Sequence, residues 1–397
     1  MNGVGRLTTV VVRRQDHDEG RQPGNGQALV NAVVHFVNDA MDAGVYTRDE
    51  LPAVAMQTYH ADYYLAQVEN GGHSQFIGNV GDMLPLTSAD ALAGPKAMGA
   101  HAQYDVLTAM TAWVKANPEE AAIQNGFSVR AKLLNKLDKR FQAAEREAPI
   151  SEVSANWIAG WPELRIVETD QYLPEIDRLA QLNPHLGPRR IWQGVQSIRD
   201  QLTDSLQVTV AAACGAVEPE PEMKLAIHAG SMIEIEGETC KAFGVATDKA
   251  TRLCVIEEAG GRLYEFIKNT RPTNPTREDL LNFRAMSAGA RLSTVSAKTI
   301  DQFTAIAERT MSCEAIDLLL RKASLEPRPT ITAWKINDDG ASWILAAGQN
   351  RLIATTSTDR ATITQHDGSP IAAVTRAEIN RHAAEAAAGR ASMQLPA

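Results

Sequence analysis

Apolar residues recur at three- and four-residue spacing from Gln27 to Met41, where Val30, Val33, Val34, Val37 and Met41 fall on one helical face. A second helix is expected from Thr47, which can cap it, with Asp49 and Glu50 in the first turn at the positive end of the dipole. It is carried, with a break, through Tyr59, Tyr63 and Val68. Further helical runs cover Pro95 to Asn117, Ser128 to Glu147, Pro174 to Leu182 and Arg189 to Leu206. Between them lie the turn signals Gly94-Pro95, Asn117-Pro118, Asn125-Gly126 and Asn183-Pro184. Roughly the first 215 residues therefore read as mostly α-helix, with no internal repeat of fixed period.

The pattern changes at Glu218 to Glu222, where alternating proline and carboxylate favour an extended, solvated segment. Beyond it, apolar and polar residues alternate from Ser231 to Ile267, with Glu236-Gly237-Glu238 and Ala259-Gly260-Gly261 at hairpin tips. Helical spacing returns from Lys298 to Ala323, on a stripe of Ile300, Phe303, Ile306, Ala307 and Met311. Three or four short strands follow, drawn from 331–337, 342–348, 351–357 and 361–367, and a last helix starts at Arg376. The fold class expected is multidomain: an all-α N-terminal helical domain followed by an α+β domain with antiparallel strands. Its parts are a flexible arm at 1–26, a helical domain at 27–217, a linker at 218–222, an α+β domain at 223–390 and a tail at 391–397.

Composition agrees with two ordinary globular cores. The chain has 397 residues, 44% of them hydrophobic and 22% charged. No run of eighteen apolar residues occurs, and the N-terminus lacks the basic start and long apolar core of a signal peptide, so neither a membrane span nor a leader is expected. Cys214, Cys240, Cys254 and Cys313 form no Cys-x-x-Cys pair, which reads as reduced thiols in a cytoplasm rather than a zinc site or a disulfide framework. A net charge of −9 disfavours direct binding to a phosphate backbone.

The segment Tyr63 to Asn79 joins a helical run to two adjacent glycines. If the helix ends at Glu69 or Asn70, Gly71 or Gly72 can take the positive-φ backbone that ends helices, and Ser74 can cap the next helical segment. The amides of Asn70, Gln75 and Asn79 are suited to the backbone groups exposed at two helix ends. Asn70, Gly71, Gly72, Gln75, Phe76 and Asn79 resemble the Asn-Gly-Gly-aromatic-x-Gln-Phe hallmark of a bacterial family, the DNA-mimic-protein-like domain, with His73 in place of the aromatic. Ala97 to Met110 and Leu133 to Phe141 also look like segments of that family, so the resemblance spans about residues 27–165. It implies an all-α fold and binding of another protein through an acidic surface. His73 either fills the aromatic's structural place or is the residue there that changes charge near neutral pH; the former is preferred.

From Leu29 to Met110 there are nine acidic residues against only Arg48 and Lys96, a local net of −7. The field there comes from missing bases. Asp39, Asp42, Asp49, Glu50, Asp62 and Glu69 are the expected partner-binding carboxylates, and the expected function is a protein-interaction module that regulates a nucleic-acid-binding partner by competing for its basic site. An acidic surface that only confers solubility stands beside it. The alternative is a hydrolase-like enzyme with its site at the Asn70-Gly71-Gly72-His73 loop, whose signature would be a concave pocket beside His73 with an acid in reach. His60, Asp62, Glu69, His73 and His101 show no paired-ligand spacing, so no metal, cofactor or catalytic residue is assigned. The partner expected is a protein, with no direct nucleic acid and no membrane, and a homodimer stays open. Tyr59, Tyr63, Tyr64 and Phe76 read as core packing ahead of an exposed anchor, and Trp334 and Trp343 as a cross-strand pair.

Overall fold

The computed structural model describes residues 5–273, 275–277 and 285–394. Two compact units divide the chain, one running to Gly187 and the other spanning Pro188–Ser392.

In the first unit, β1 (Val10–Arg13) pairs in parallel with β2 (Leu164–Val167), Val10 facing Leu164 and Val12 facing Ile166. Val10, Val11 and Val12 are fully buried and share a core with Phe36, Trp161 and Tyr172. Residues 5–26 are thus not a loose arm; the short apolar run finds its pairing partner far along the chain, which local pattern could not show. Residues 1–4 of that expected arm lie outside the described residues.

Helices α1 (Arg14–Gly20) and α2 (Gly26–Ala43) follow, then a single 3-10 turn, Arg48–Glu50. Thr47 and Glu50 close a reciprocal capping box around that turn, and the Leu51-Pro52 break separates it from α3 (Ala53–Val80). Next come α4 (Leu84–Met98), α5 (His101–Ala116), α6 (Pro118–Ala122), α7 (Lys132–Glu147) and α8 (Ile150–Ile158); α9 (Tyr172–Ala180) comes after β2. The helix expected over Pro95 to Asn117 is two helices: Pro95 lies inside α4, and Gly99, at φ +82°, turns the chain into α5. Most of α4 escapes periodicity because its small and polar residues make no apolar stripe.

The second unit holds most of α10 (Leu186–Thr203), then α11 (Ser205–Gly215). Two five-stranded antiparallel meanders follow. The first is β3 (Lys224–Ile235), β4 (Glu238–Thr247), β5 (Thr251–Glu257), β6 (Gly260–Lys268) and β7 (Met286–Ser296). Helices α12 (Ala297–Thr310) and α13 (Ser312–Lys322) lead to the second, with Met311 in the left-handed region splitting what spacing read as one helix. The second is β8 (Thr330–Asn337), β9 (Gly340–Ala347), β10 (Asn350–Ser357), β11 (Arg360–Gln365) and β12 (Pro370–Thr375). Helix α14 (Arg376–Gln394) ends the described chain, and 395–397 of the expected tail lie outside it. A helical region up to about residue 215 is thus followed by a region with two antiparallel sheets.

Compactness places the division at Gly187/Pro188 rather than at 218–222. The physical reason is α11, which is buried around its whole circumference from Val208 to Cys214, with Thr209 its one polar side chain there. Trp334 donates its indole N–H to the Val208 carbonyl at 3.1 Å, and Ser293 donates its hydroxyl to the Ala213 carbonyl at 2.6 Å, one from each sheet. A Cβ on Gly215 would fall 2.1 Å from the Trp334 carbonyl oxygen. Glu222, in the stretch expected to be a solvated linker, is buried and paired with Arg252. Trp334 and Trp343 face each other across β8 and β9, and Phe303 stacks on Trp334 with ring centroids 3.6 Å apart.

Candidate functional site

The double glycine is a kink inside α3. Gly71 sits at φ −144°, ψ 15° and Gly72 at φ +75°, ψ −178°, the latter a region that only glycine occupies readily. The kink turns the freed backbone N–H of His73 onto Asp138 Oδ1, at 2.8 Å, so a carboxylate from α7 satisfies the interrupted helix. His73 Nδ1 lies 2.5 Å from the same oxygen, and its Nε2 lies 2.7 Å from the Tyr64 hydroxyl. Arg130 donates to Asp138 Oδ2 at 3.0 Å. A Cβ on Gly72 would stand 2.4 Å from that oxygen, so the close approach needs glycine twice over.

His73 has no exposed surface, and its ring meets Tyr64 and Phe141 edge to face, with centroids 5.7 and 6.1 Å away. It packs edge to face as an aromatic would and adds a polar chain that runs from the buried Tyr64 out to the exposed Arg130. Burial pushes the Tyr64 phenol well above its ordinary value, with Asp138 and Glu145 acting in the same direction. Burial alone would also raise Asp138, but hydrogen bonds from His73 and Arg130 outweigh it and hold the carboxyl below its usual range. An acid is therefore in reach of His73, yet the imidazole is sealed from solvent and has both ring nitrogens engaged.

The remaining motif residues complete the seal. Gln75 and Asn79 both donate side-chain amides to Gln67 Oε1, at 2.9 and 2.6 Å, rather than to helix-end backbone. Ser74 caps nothing: its hydroxyl donates to the Val129 carbonyl and accepts the Gly126 N–H, tying the 125–131 loop down. Phe76 is fully buried with Tyr64 in the core, while Asn70 is exposed. Asp138, Arg130 and Gln67 were not singled out by the sequence. The available signal was a carboxylate at position 138 on the apolar stripe of Leu134, Leu137 and Phe141, where a charge must be paired.

The six expected partner-binding carboxylates separate into two groups. Asp39 accepts the Tyr172 hydroxyl at 2.8 Å, Glu50 caps the turn through the Thr47 N–H at 2.8 Å, and Asp62 accepts from Gln27 at 2.8 Å. Burial raises the Asp62 carboxyl against that hydrogen bond. Asp42, Asp49 and Glu69 are exposed, and so are Asp82 and Asp105 in the same base-poor segment. Asp49 pairs with Arg48, which also grips Asp90 with two nitrogens; His60 completes that cluster, its Nδ1 2.7 Å from Asp90 Oδ2. Asp90 lines a cleft of 660 Å³ with Arg6, Arg48 and Glu163, but both its oxygens are bonded. On α7 the sign reverses: Lys132, Lys136, Lys139 and Arg140 are all exposed.

The histidines and acids around the loop do not gather as ligands. Among the described residues one group of possible ligands meets elsewhere, Glu238, Cys240 and Glu257, and Arg262 donates to both Glu257 and the Cys240 sulfur, so a fixed cation already serves it. No helix of the described residues is long and apolar enough to cross a membrane.

No curated protein and no solved structure matches the chain. Residues 49–161, which hold the glycine kink, His73, Arg130 and Asp138, match the family model described as DMP19-like protein, the DNA-mimic-protein-like family that the Asn70-Gly71-Gly72 segment resembles.

Proposed function

We propose that the helical unit is a protein-interaction module that offers carboxylates to the basic site of a nucleic-acid-binding partner and regulates that partner by competition. The observation that carries this reading is the charge of residues 29–110 in their folded setting. Asp42, Asp49, Glu69, Asp82 and Asp105 are exposed, Lys96 is exposed, and Arg48 is neutralised by Asp49 and Asp90. The negative field therefore goes largely uncompensated and can steer a basic surface. The match of residues 49–161 to the DMP19-like family supports the same reading. The exposed bases of α7 keep that field from covering the whole unit. A cytoplasmic location fits four cysteines that are all free.

The test is a pull-down from cell extract with the wild-type chain and with Asp42, Glu69, Asp82 and Asp105 changed to amides. The recovered partner is then assayed for duplex binding with and without this protein. Expected results are a salt-sensitive partner, displacement of that partner from duplex by the wild-type chain, and recovery reduced at least about tenfold for the variant. Equal recovery by both chains, or a partner whose duplex binding is unaffected, refutes the reading.

A further inference from the structure

Lys224, the first residue of β3, is 3% exposed, yet its ammonium has no hydrogen-bond or ion-pair partner among the described residues. Its stem is buried while Nζ keeps some contact with solvent, and a charge this shielded is stabilised by a counter-charge. The nearby acids are engaged elsewhere. Glu222 binds Arg252 and the Thr247 hydroxyl, each at 2.5 Å, and Asp248 accepts the Met223 N–H at 2.8 Å. The Cys214 and Cys254 thiols interact electrostatically with Lys224, but burial pushes Cys254 up to about 12 and Cys214 higher still, so both stay neutral. Asp204 also acts electrostatically on Lys224 and lines the same cleft, but it is exposed, makes no ion pair with Lys224 and caps α11 through the Gln207 N–H at 3.0 Å.

Lys224 also lines a cleft of 510 Å³, a volume suited to a small molecule. The cleft opens where the edge strand β3 loses regular pairing with β4, first between Lys224 and Ala226 and again between Ile227 and Gly230. Leu206, Ile227 and Phe243 supply apolar wall, Gln207 and Thr330 supply hydrogen-bonding groups, and Asp204 and His228 are the other titratable residues of the lining. We propose that this cleft binds a small monocarboxylate with an aliphatic or aromatic body, its carboxylate completing the ion pair that Lys224 lacks and its body lying on the apolar wall. Burial lowers the Lys224 pKa, and a bound carboxylate would restore it.

The experiment is calorimetric titration of the full chain with hexanoate, octanoate and phenylacetate, and with the matching primary amides, which keep shape and lose charge. The Lys224→Met chain is titrated alongside, after a thermal melt confirms that it folds. At least one acid is expected to bind saturably, about tenfold or more tighter than its amide, and to lose that advantage in Lys224→Met. Saturable binding by none of the acids, an amide as tight as its acid, or an unchanged Lys224→Met affinity overturns the proposal. The acid against amide comparison in the wild-type chain stands even if the variant does not fold.

Discussion

His73 Nδ1 and Asp138 Oδ1 lie 2.5 Å apart, and the same carboxylate oxygen accepts the His73 backbone N–H at 2.8 Å. One side chain on α7 thus closes both the broken backbone of α3 and the imidazole beyond it. Asp138→Ala strips both, leaves the buried His73 without its acceptor and takes one of three acceptors from Arg130. Its expected cost is about 3–5 kcal/mol, the range for breaking a buried pair. Urea unfolding measures it; a loss within the scatter of surface substitutions would show that the contact is not structural.

Gly72 separates two effects that often travel together. Gly72→Ala meets both an unfavourable backbone region and, 2.4 Å away, the Asp138 carboxylate, whereas Gly81→Ala, at φ +55°, meets no atom within 4 Å. Gly81→Ala is expected to cost about 1–2 kcal/mol from backbone strain alone, and Gly72→Ala clearly more, because the carboxylate must move off His73. Equal unfolding midpoints for the two variants would rule out the close approach as the reason for glycine at 72.

How much of this was legible in the sequence depends on how far each signal reaches. Val30, Val33 and Val37 declared α2, and the turns at Glu236-Gly237 and Ala259-Gly260 declared two hairpins, because helix faces and tight turns are local. The Gly71-Gly72 pair declared a chain break for the same reason. What the break is for depends on Asp138, 65 residues beyond His73, and no local pattern names that partner. The same limit hid the pairing of Val10 with Leu164 and the burial of α11 against sheets made from later residues. Asp39, Glu50 and Asp62 looked like surface acids because sequence shows a carboxylate and not its hydrogen-bond partner.

Acid should loosen the first unit through Asp90 and Asp138. Burial alone would raise each, but hydrogen bonds from His60 and Arg48 to the one, and from His73 and Arg130 to the other, lower both. A carboxyl lowered in the folded state takes up protons first in the unfolded chain. Its stabilisation is therefore complete above the unfolded value of about 3.9 and is lost as pH falls through the folded value. The urea midpoint should hold steady above about pH 5 and drop below about pH 4. A chain carrying Asp90→Asn and Asp138→Asn should be weaker at neutral pH and lose less on acidification. A parallel fall in both chains would assign the acid sensitivity to other groups.

In the second unit the corresponding test lies at Thr356. Its hydroxyl accepts the Trp343 indole N–H at 3.1 Å and meets the Ser312 hydroxyl at 2.7 Å, which in turn meets Thr310 at 2.7 Å. Thr310, Ser312, Trp343 and Thr356 are all fully buried, so no water stands ready to replace a lost partner. Valine keeps the branched shape of threonine and removes only the hydroxyl, so Thr356→Val leaves an indole N–H and a serine hydroxyl short of a partner with packing unchanged. The expected loss is about 1–3 kcal/mol, the cost of buried polar groups left unpaired rather than of one hydrogen bond. Adding Ser312→Ala removes one of those stranded groups, and should make the double variant less destabilised than the sum of the two single ones. Strict additivity in urea midpoints would mean that the hydroxyls act separately.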